Sequence, residues 1–170
     1  MASFIGKFYH PLCTVHYHIQ YVVMHFWNKG CEKCFIFVGQ YGSNGLQLVQ
    51  SIHPSELRLP GESNEVIIHG VSARSDAVLL YADYNNSAVK SLHLQSNEIE
   101  LVFQESLREW RVCNARELRD EAGDLLVVTE LMTSGGATSS RVFIARKKAS
   151  TYKIEFHFPL ESTTVQLTCI

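Results

Sequence analysis

The chain reads as an all-β protein built from antiparallel four-stranded meanders, and two observations lead there. Short runs of β-branched and aromatic residues recur from Cys34 onward, with Gly, Asn, Ser and Asp between them. Such runs suit a pleated, half-buried surface. Between Glu65 and Gln104 three connections are tight, namely Arg74-Ser75-Asp76, Asn85-Asn86-Ser87 and Gln95-Ser96-Asn97. Loops that short join neighbouring antiparallel strands, and Asn suits them because its side chain bonds the local backbone.

Taken in order, Cys34 to Val38 (CFIFV) is the first strand expected, Gly39 to Gly45 (GQYGSNG) is turn chemistry, and Leu46 to Ile52 (LQLVQSI) is a second strand. Pro54, Pro60 and Gly61 make residues 53–64 a loop. Four strands follow at Val66 to Ala73, Ala77 to Tyr84, Ala88 to Leu94 and Glu98 to Gln104. A meander of about 40 residues and four strands is the size of a propeller blade. The next stretch lays over it, with Trp110 to Ala115, Leu125 to Leu131, Arg141 to Arg146 and Tyr152 to Phe158 in the four strand places. The repeat-like units therefore run over about 65–105 and 108–158 of a β-rich region, 34–170. Residues 1–33 carry four of the eight His, show neither helical nor strand period, and read as a separate segment of uncertain structure.

One segment supports a different architecture. Ser106 to Gly123 could be an amphipathic helix, with Ser106 and Glu109 as a capping box and Leu107, Trp110, Cys113, Leu118 and Ala122 on one broad face. An α+β domain with one helix near 106–122 is the alternative.

The phrase HGVSARSDAVLLYADYNNSAVKSLHL resembles a repeat of the NHL and six-bladed propeller group: a small-residue strand, an apolar strand ending in Asp, an Asn-containing turn and a Val-containing strand. WRVCNARELRDEAGDLLVVTEL with SRVFIARK is similar in outline, Glu130 standing near the place of Asp83. Residues 65–158 carry the resemblance, with a possible part of a third unit at Cys34 to Ile52. It implies propeller blades too few to close a ring of six, hence a piece of a longer propeller. It also implies a protein-binding function, or a metal-dependent hydrolase of the esterase or lactonase kind with Asp83, Asn114 and Glu130 as ligands.

Composition narrows the rest. The chain has 170 residues, 46% hydrophobic and 19% charged, which is ordinary for a globular protein able to enclose a core. A net charge of −2 speaks against nucleic acid as a partner, since that binding draws on clustered positive charge. Arg146-Lys147-Lys148 is the one dense basic run and reads as a solvated strand end. Ile19 to Trp27 is apolar but too short to span a bilayer, so no membrane is expected. Five Cys form no secreted disulfide framework, and the default location is cytoplasmic.

The sharpest chemical motif is Cys31-Glu32-Lys33-Cys34, a C-x-x-C pair with Cys13 and His16 upstream. Zinc takes four Cys or His ligands in a tetrahedron, so Cys13, His16, Cys31 and Cys34 are the candidate metal ligands. The competing reading is buried thiols and a hydrogen-bonded imidazole. Gly42-Ser43-Asn44-Gly45 lacks the Lys and following helix of a phosphate loop and reads as a turn. No G-x-S-x-G elbow occurs. The expectation is a non-catalytic interaction module with a protein partner, ahead of the hydrolase and of a zinc-binding N-terminal module.

Overall fold

The computed structural model describes residues 12–17, 21–28, 31–75, 77–118, 123–149 and 151–160, and for 12–35 it describes the backbone course only. Among the described residues, twelve strands lie in three antiparallel four-stranded sheets. The first holds β1 (Leu12–Tyr17), β2 (Tyr21–Asn28), β3 (Cys31–Gly42) and β4 (Gly45–Ile52). The second holds β5 (Ile68–Ser75), β6 (Val78–Asp83), β7 (Ala88–His93) and β8 (Ile99–Gln104). The third holds β9 (Trp110–Glu117), β10 (Leu125–Thr133), β11 (Gly136–Lys148) and β12 (Thr151–Leu160). Each sheet is a meander, every strand pairing with the next in sequence. The fold is thus all-β, as the turn and strand pattern predicts.

The first sheet draws β1 and β2 from the stretch without sequence period; Cys13 pairs with Phe26, which pairs in turn with Phe35. Its β3 runs on to Gly42, so the expected long turn shrinks to Ser43-Asn44, with Gly45 at φ 94. In the second sheet the turn after β6 needs a positive φ, but Ser87 adopts it (φ 51) rather than either Asn. The two Asn side chains bond instead: Asn86 Nδ2 donates to Asp83 Oδ2 (2.7 Å) and Asn85 Nδ2 to the Glu65 carbonyl (2.9 Å).

No helix spans Ser106–Gly123; Trp110–Glu117 is β9, and residues 119–122 lie outside the described ones. Pairing overrides helical amphipathicity here, because β9 satisfies the open edge of β10 from Leu125↔Glu117 to Leu131↔Trp110. The expected capping box is absent, and the Leu107 N–H donates to Glu105 Oε1 instead (3.1 Å).

Packing between sheets follows from period-two alternation. Ile36, Val38 and Ile52 of the first sheet bury against Val71, Leu79, Tyr81 and Leu92 of the second. On the second sheet's other face, Leu80, Ala82, Val89 and Phe103 bury against Val112, Ala115, Leu125, Val127, Phe143 and Ala145 of the third. The second sheet is therefore apolar on both faces, which is why VLLYAD and AVKSLH show no alternation. The first strands lie side by side: β1 and β2 approach β5, and β5 runs against β9. There Ser72 Oγ donates to the Ala115 carbonyl (2.9 Å) and Arg74 Nε meets Glu117 Oε2 (3.0 Å).

Gly70 marks the closest approach, since a Cβ there would lie 2.8 Å from the Asn114 side chain and 3.0 Å from the Cys113 carbonyl. Gly70→Ala is therefore expected to destabilise the protein by about 1–3 kcal/mol in urea unfolding. Gly135→Ala, where the nearest side-chain atom is 3.8 Å from the new Cβ, should stay within about 0.5 kcal/mol of the native chain.

Candidate functional site

Two buried cations stand out because neither can be left unpaired in an apolar setting. Lys90, in the third strand of the second sheet, has a fully buried side chain, and its ammonium lies 2.6 Å from Asp83 Oδ2 and 2.7 Å from Glu62 Oε2. Asp83 comes from the neighbouring strand β6; Glu62 comes from the loop that leads into the sheet. Glu62 is itself held, since its Oε2 accepts the Leu59 N–H (2.8 Å) and its carbonyl accepts from Arg58. Tyr81 donates its hydroxyl to the Leu57 carbonyl (2.9 Å), which straps the same loop to the sheet. Burial and the nearby Asp83 and Glu62 raise that hydroxyl well above its ordinary value, so it remains a donor.

The third sheet repeats the plan. Arg141, in its third strand, bonds the buried Glu105 carboxylate and Thr129 Oγ1 (2.9 Å). Glu105 again belongs to the segment leading into the sheet. The Arg141 guanidinium stacks 4.1 Å from the Trp110 ring centroid, a cation–π contact that an ammonium would make less well. Of these five charges the sequence singled out Asp83, in another role, and not Lys90, Glu62, Arg141 or Glu105. A signal was present in Lys90 and Arg141, each a cation inside an otherwise apolar strand.

The residues singled out for hydrolytic chemistry lie in two sheets and have neighbours of their own. Asp83 is engaged by Lys90 and Asn86, and it belongs to the second sheet. Asn114, in the third sheet, packs over Gly70 of the second, and Glu130 lies beside Cys113, whose thiol meets the Arg111 carbonyl (3.5 Å). Among the described residues no group of three or more His, Cys, Asp or Glu is placed to hold a metal ion. The zinc candidates are different: the side chains of Cys13, His16, Cys31 and Cys34 lie outside the described residues, their strands β1 and β3 flanking β2.

Around the seam between the second and third sheets the polar groups are quiet. Burial, with Glu130 beside it, pushes the Cys113 thiol far up, so it stays protonated and is a poor nucleophile. The Tyr84 hydroxyl is pushed up to about 12 by burial and by Cys113 and Glu130, and it lies 2.8 Å from Met132 Sδ. His69 stacks on Tyr84 with ring centroids 4.5 Å apart. The basic run is engaged too, Arg146 pairing with Asp124 (3.1 Å) and Glu155 (2.9 Å) and Lys148 with Glu155 (3.5 Å). In contrast, Leu46, Leu48 and Val49 of β4 are exposed large apolar side chains, Leu48 at 62%. No protein-family model matches the chain, and no curated protein matches it.

His69 gives the seam a pH signature. Burial lowers its pKa below the ordinary 6.5, outweighing the opposing pull of Glu130. The unfolded chain then binds the proton more readily than the folded one, so stability is present above about pH 6.5 and falls as pH drops below it. Replacing it by His69→Phe, which keeps a ring on Tyr84, should flatten the stability profile between pH 6.5 and 5. An unchanged slope in denaturant titrations would assign that loss to other groups.

Proposed function

We propose that the three sheets are successive blades of a propeller and that the chain is a non-catalytic protein-interaction module. One observation carries the reading. The described interior charges are engaged with one another, while exposed large apolar side chains gather on β4, at Leu46, Leu48 and Val49. Residues 34–55, the hairpin and its exit, contain no Asp, Glu, Lys or Arg. An uncharged surface with exposed Leu favours a protein partner, because covering it removes apolar area from water and desolvates no charge. The succession of meanders, first strands side by side, supports the propeller reading, and in that architecture loops and blade surfaces serve recognition.

The test is affinity capture by the folded chain and two variants. Leu48→Lys places a charge on the β4 surface, whereas Leu107→Lys places one at another exposed leucine, in the turn before β9. A protein captured by the native chain and by Leu107→Lys, and reduced about tenfold (1.4 kcal/mol) by Leu48→Lys, is the expected result. Equal capture by all three proteins would remove β4 from the account.

A further inference from the structure

One end of the seam between the second and third sheets gathers four side chains that neither the ion pairs nor the apolar clusters use. Tyr84, just past β6, donates its hydroxyl to Met132 Sδ at 2.8 Å, and its ring lies against His69 of β5. Cys113, in β9, is a second sulfur close to Tyr84. The Met132 N–H donates to the Glu109 carbonyl (2.8 Å), ahead of β9, and the register against β11 shifts between Leu131 and Met132. An irregularity of that kind re-aims a side chain, here toward the second sheet. Tyr84 is anchored as well, its N–H donating to the Ile67 carbonyl (2.9 Å). The contact of thioether and phenol is therefore a join between two sheets, made from two fixed stretches of backbone.

The two sulfurs differ in reactivity. Cys113 is buried, and burial with Glu130 beside it pushes its thiol up, so the thiolate that reacts with oxidants is withheld. Met132 keeps part of its surface in water, and a thioether needs no ionisation to react. We propose that Met132 is a reversible oxidation site, at which a peroxide converts the thioether to the sulfoxide and parts the third sheet from Tyr84 of the second. A sulfur lone pair takes one oxygen of hydrogen peroxide as the O–O bond breaks. Sulfur gives up two electrons, and the proton of the transferred oxygen passes to the departing hydroxide, which leaves as water. A thiol-dependent sulfoxide reductase runs the change back, the oxygen leaving as water while two thiols close to a disulfide.

Geometry sets the consequence. With the phenol oxygen 2.8 Å from sulfur, no room remains between them for a third heavy atom, so an oxygen added there displaces Tyr84. Added on the sulfur's other side, it still turns a flexible apolar tip into a polar one that must be hydrated. Tyr84 carries its neighbour with it, since its ring and that of His69 are stacked with centroids 4.5 Å apart. The apolar cluster of the seam includes none of these residues, so the loosening starts at the end of the seam and not in its core.

Hydrogen peroxide treatment of the folded full chain, followed by peptide mass mapping and urea unfolding, tests this. Under conditions that oxidise free methionine, one oxygen should appear on Met132, and the unfolding equilibrium constant should rise about five- to tenfold, the worth of one hydrogen bond. Treatment with a sulfoxide reductase and dithiothreitol should restore it. Tyr84→Phe lacks the hydroxyl, so oxidation should move its constant by less than about twofold. Met132→Leu, which retains Met1 and Met24, should keep its constant through the same treatment. A Met132 that stays unoxidised, an oxidised one with unchanged stability, or an equal loss in Tyr84→Phe or in Met132→Leu would each overturn the proposal. If either variant fails to fold, the native chain compared before oxidation, after it and after reduction still decides.

Discussion

A fully buried lysine is the constraint on which the rest of this structure turns. Moving an ammonium out of water costs several kcal/mol even after the protein relaxes, and Lys90 sits in the middle sheet where both faces are apolar. Two carboxylates offset that cost, and their origins matter more than their number. Asp83 fixes Lys90 to its own hairpin, and its remaining bonds to Asn86 shape the turn. Glu62 reaches in from the loop between the first and second sheets, so neutralising the lysine also pins that loop. With Tyr81 holding the Leu57 carbonyl, the connection becomes part of the packing, and Leu57 is buried in the cluster that joins the two sheets.

The same logic recurs one sheet further on, with different chemistry. Arg141 replaces the lysine, Glu105 replaces Glu62, and an aromatic ring covers the guanidinium face. A charge in the third strand, answered from the segment that enters the sheet, ties each meander to the one before it. This helps the sheets hold their stacked order. Asp83, Glu105 and Glu117 are partners of Lys90, Arg141 and Arg74, and the Cys113 thiol is held protonated. Leu46, Leu48 and Val49 are exposed together on β4, and that is the surface from which the interaction reading grows.

Much of the architecture was legible from the sequence because turns and strands are local. Asn85 to Ser87 and Gln95 to Asn97 mark two bends of the second sheet in the residues themselves, whereas at the first expected bend β5 runs on through Arg74 to Ser75, which pairs with Val78. The sequence was ambiguous at Ser106–Gly123, where Leu107, Trp110, Cys113 and Leu118 satisfy a helical face as well as a strand, and only the unpaired edge of β10 decides between them. Positive φ at Ser87 was illegible for a similar reason, the Asn pair being drawn away by Asp83 and the Glu65 carbonyl. The buried ion pairs were harder still. Lys90 and Glu62 are far apart in sequence, and nothing local in either announces the other. The zinc candidates Cys13, His16, Cys31 and Cys34 were legible as a motif and lie, as side chains, outside the described residues.

The claim that the charge network organises the fold is tested most directly by a double-mutant cycle on Lys90 and Asp83, read by equilibrium urea unfolding. Lys90→Met alone leaves a buried carboxylate without its cation and should cost about 3–5 kcal/mol. Combined with Asp83→Asn, it should cost less than the sum of the two single changes by at least about 1.5 kcal/mol, because the second substitution removes the charge stranded by the first. A single Lys90→Met cost below about 1 kcal/mol, with additive behaviour in the pair, would contradict the account and leave apolar packing alone to hold the sheets together.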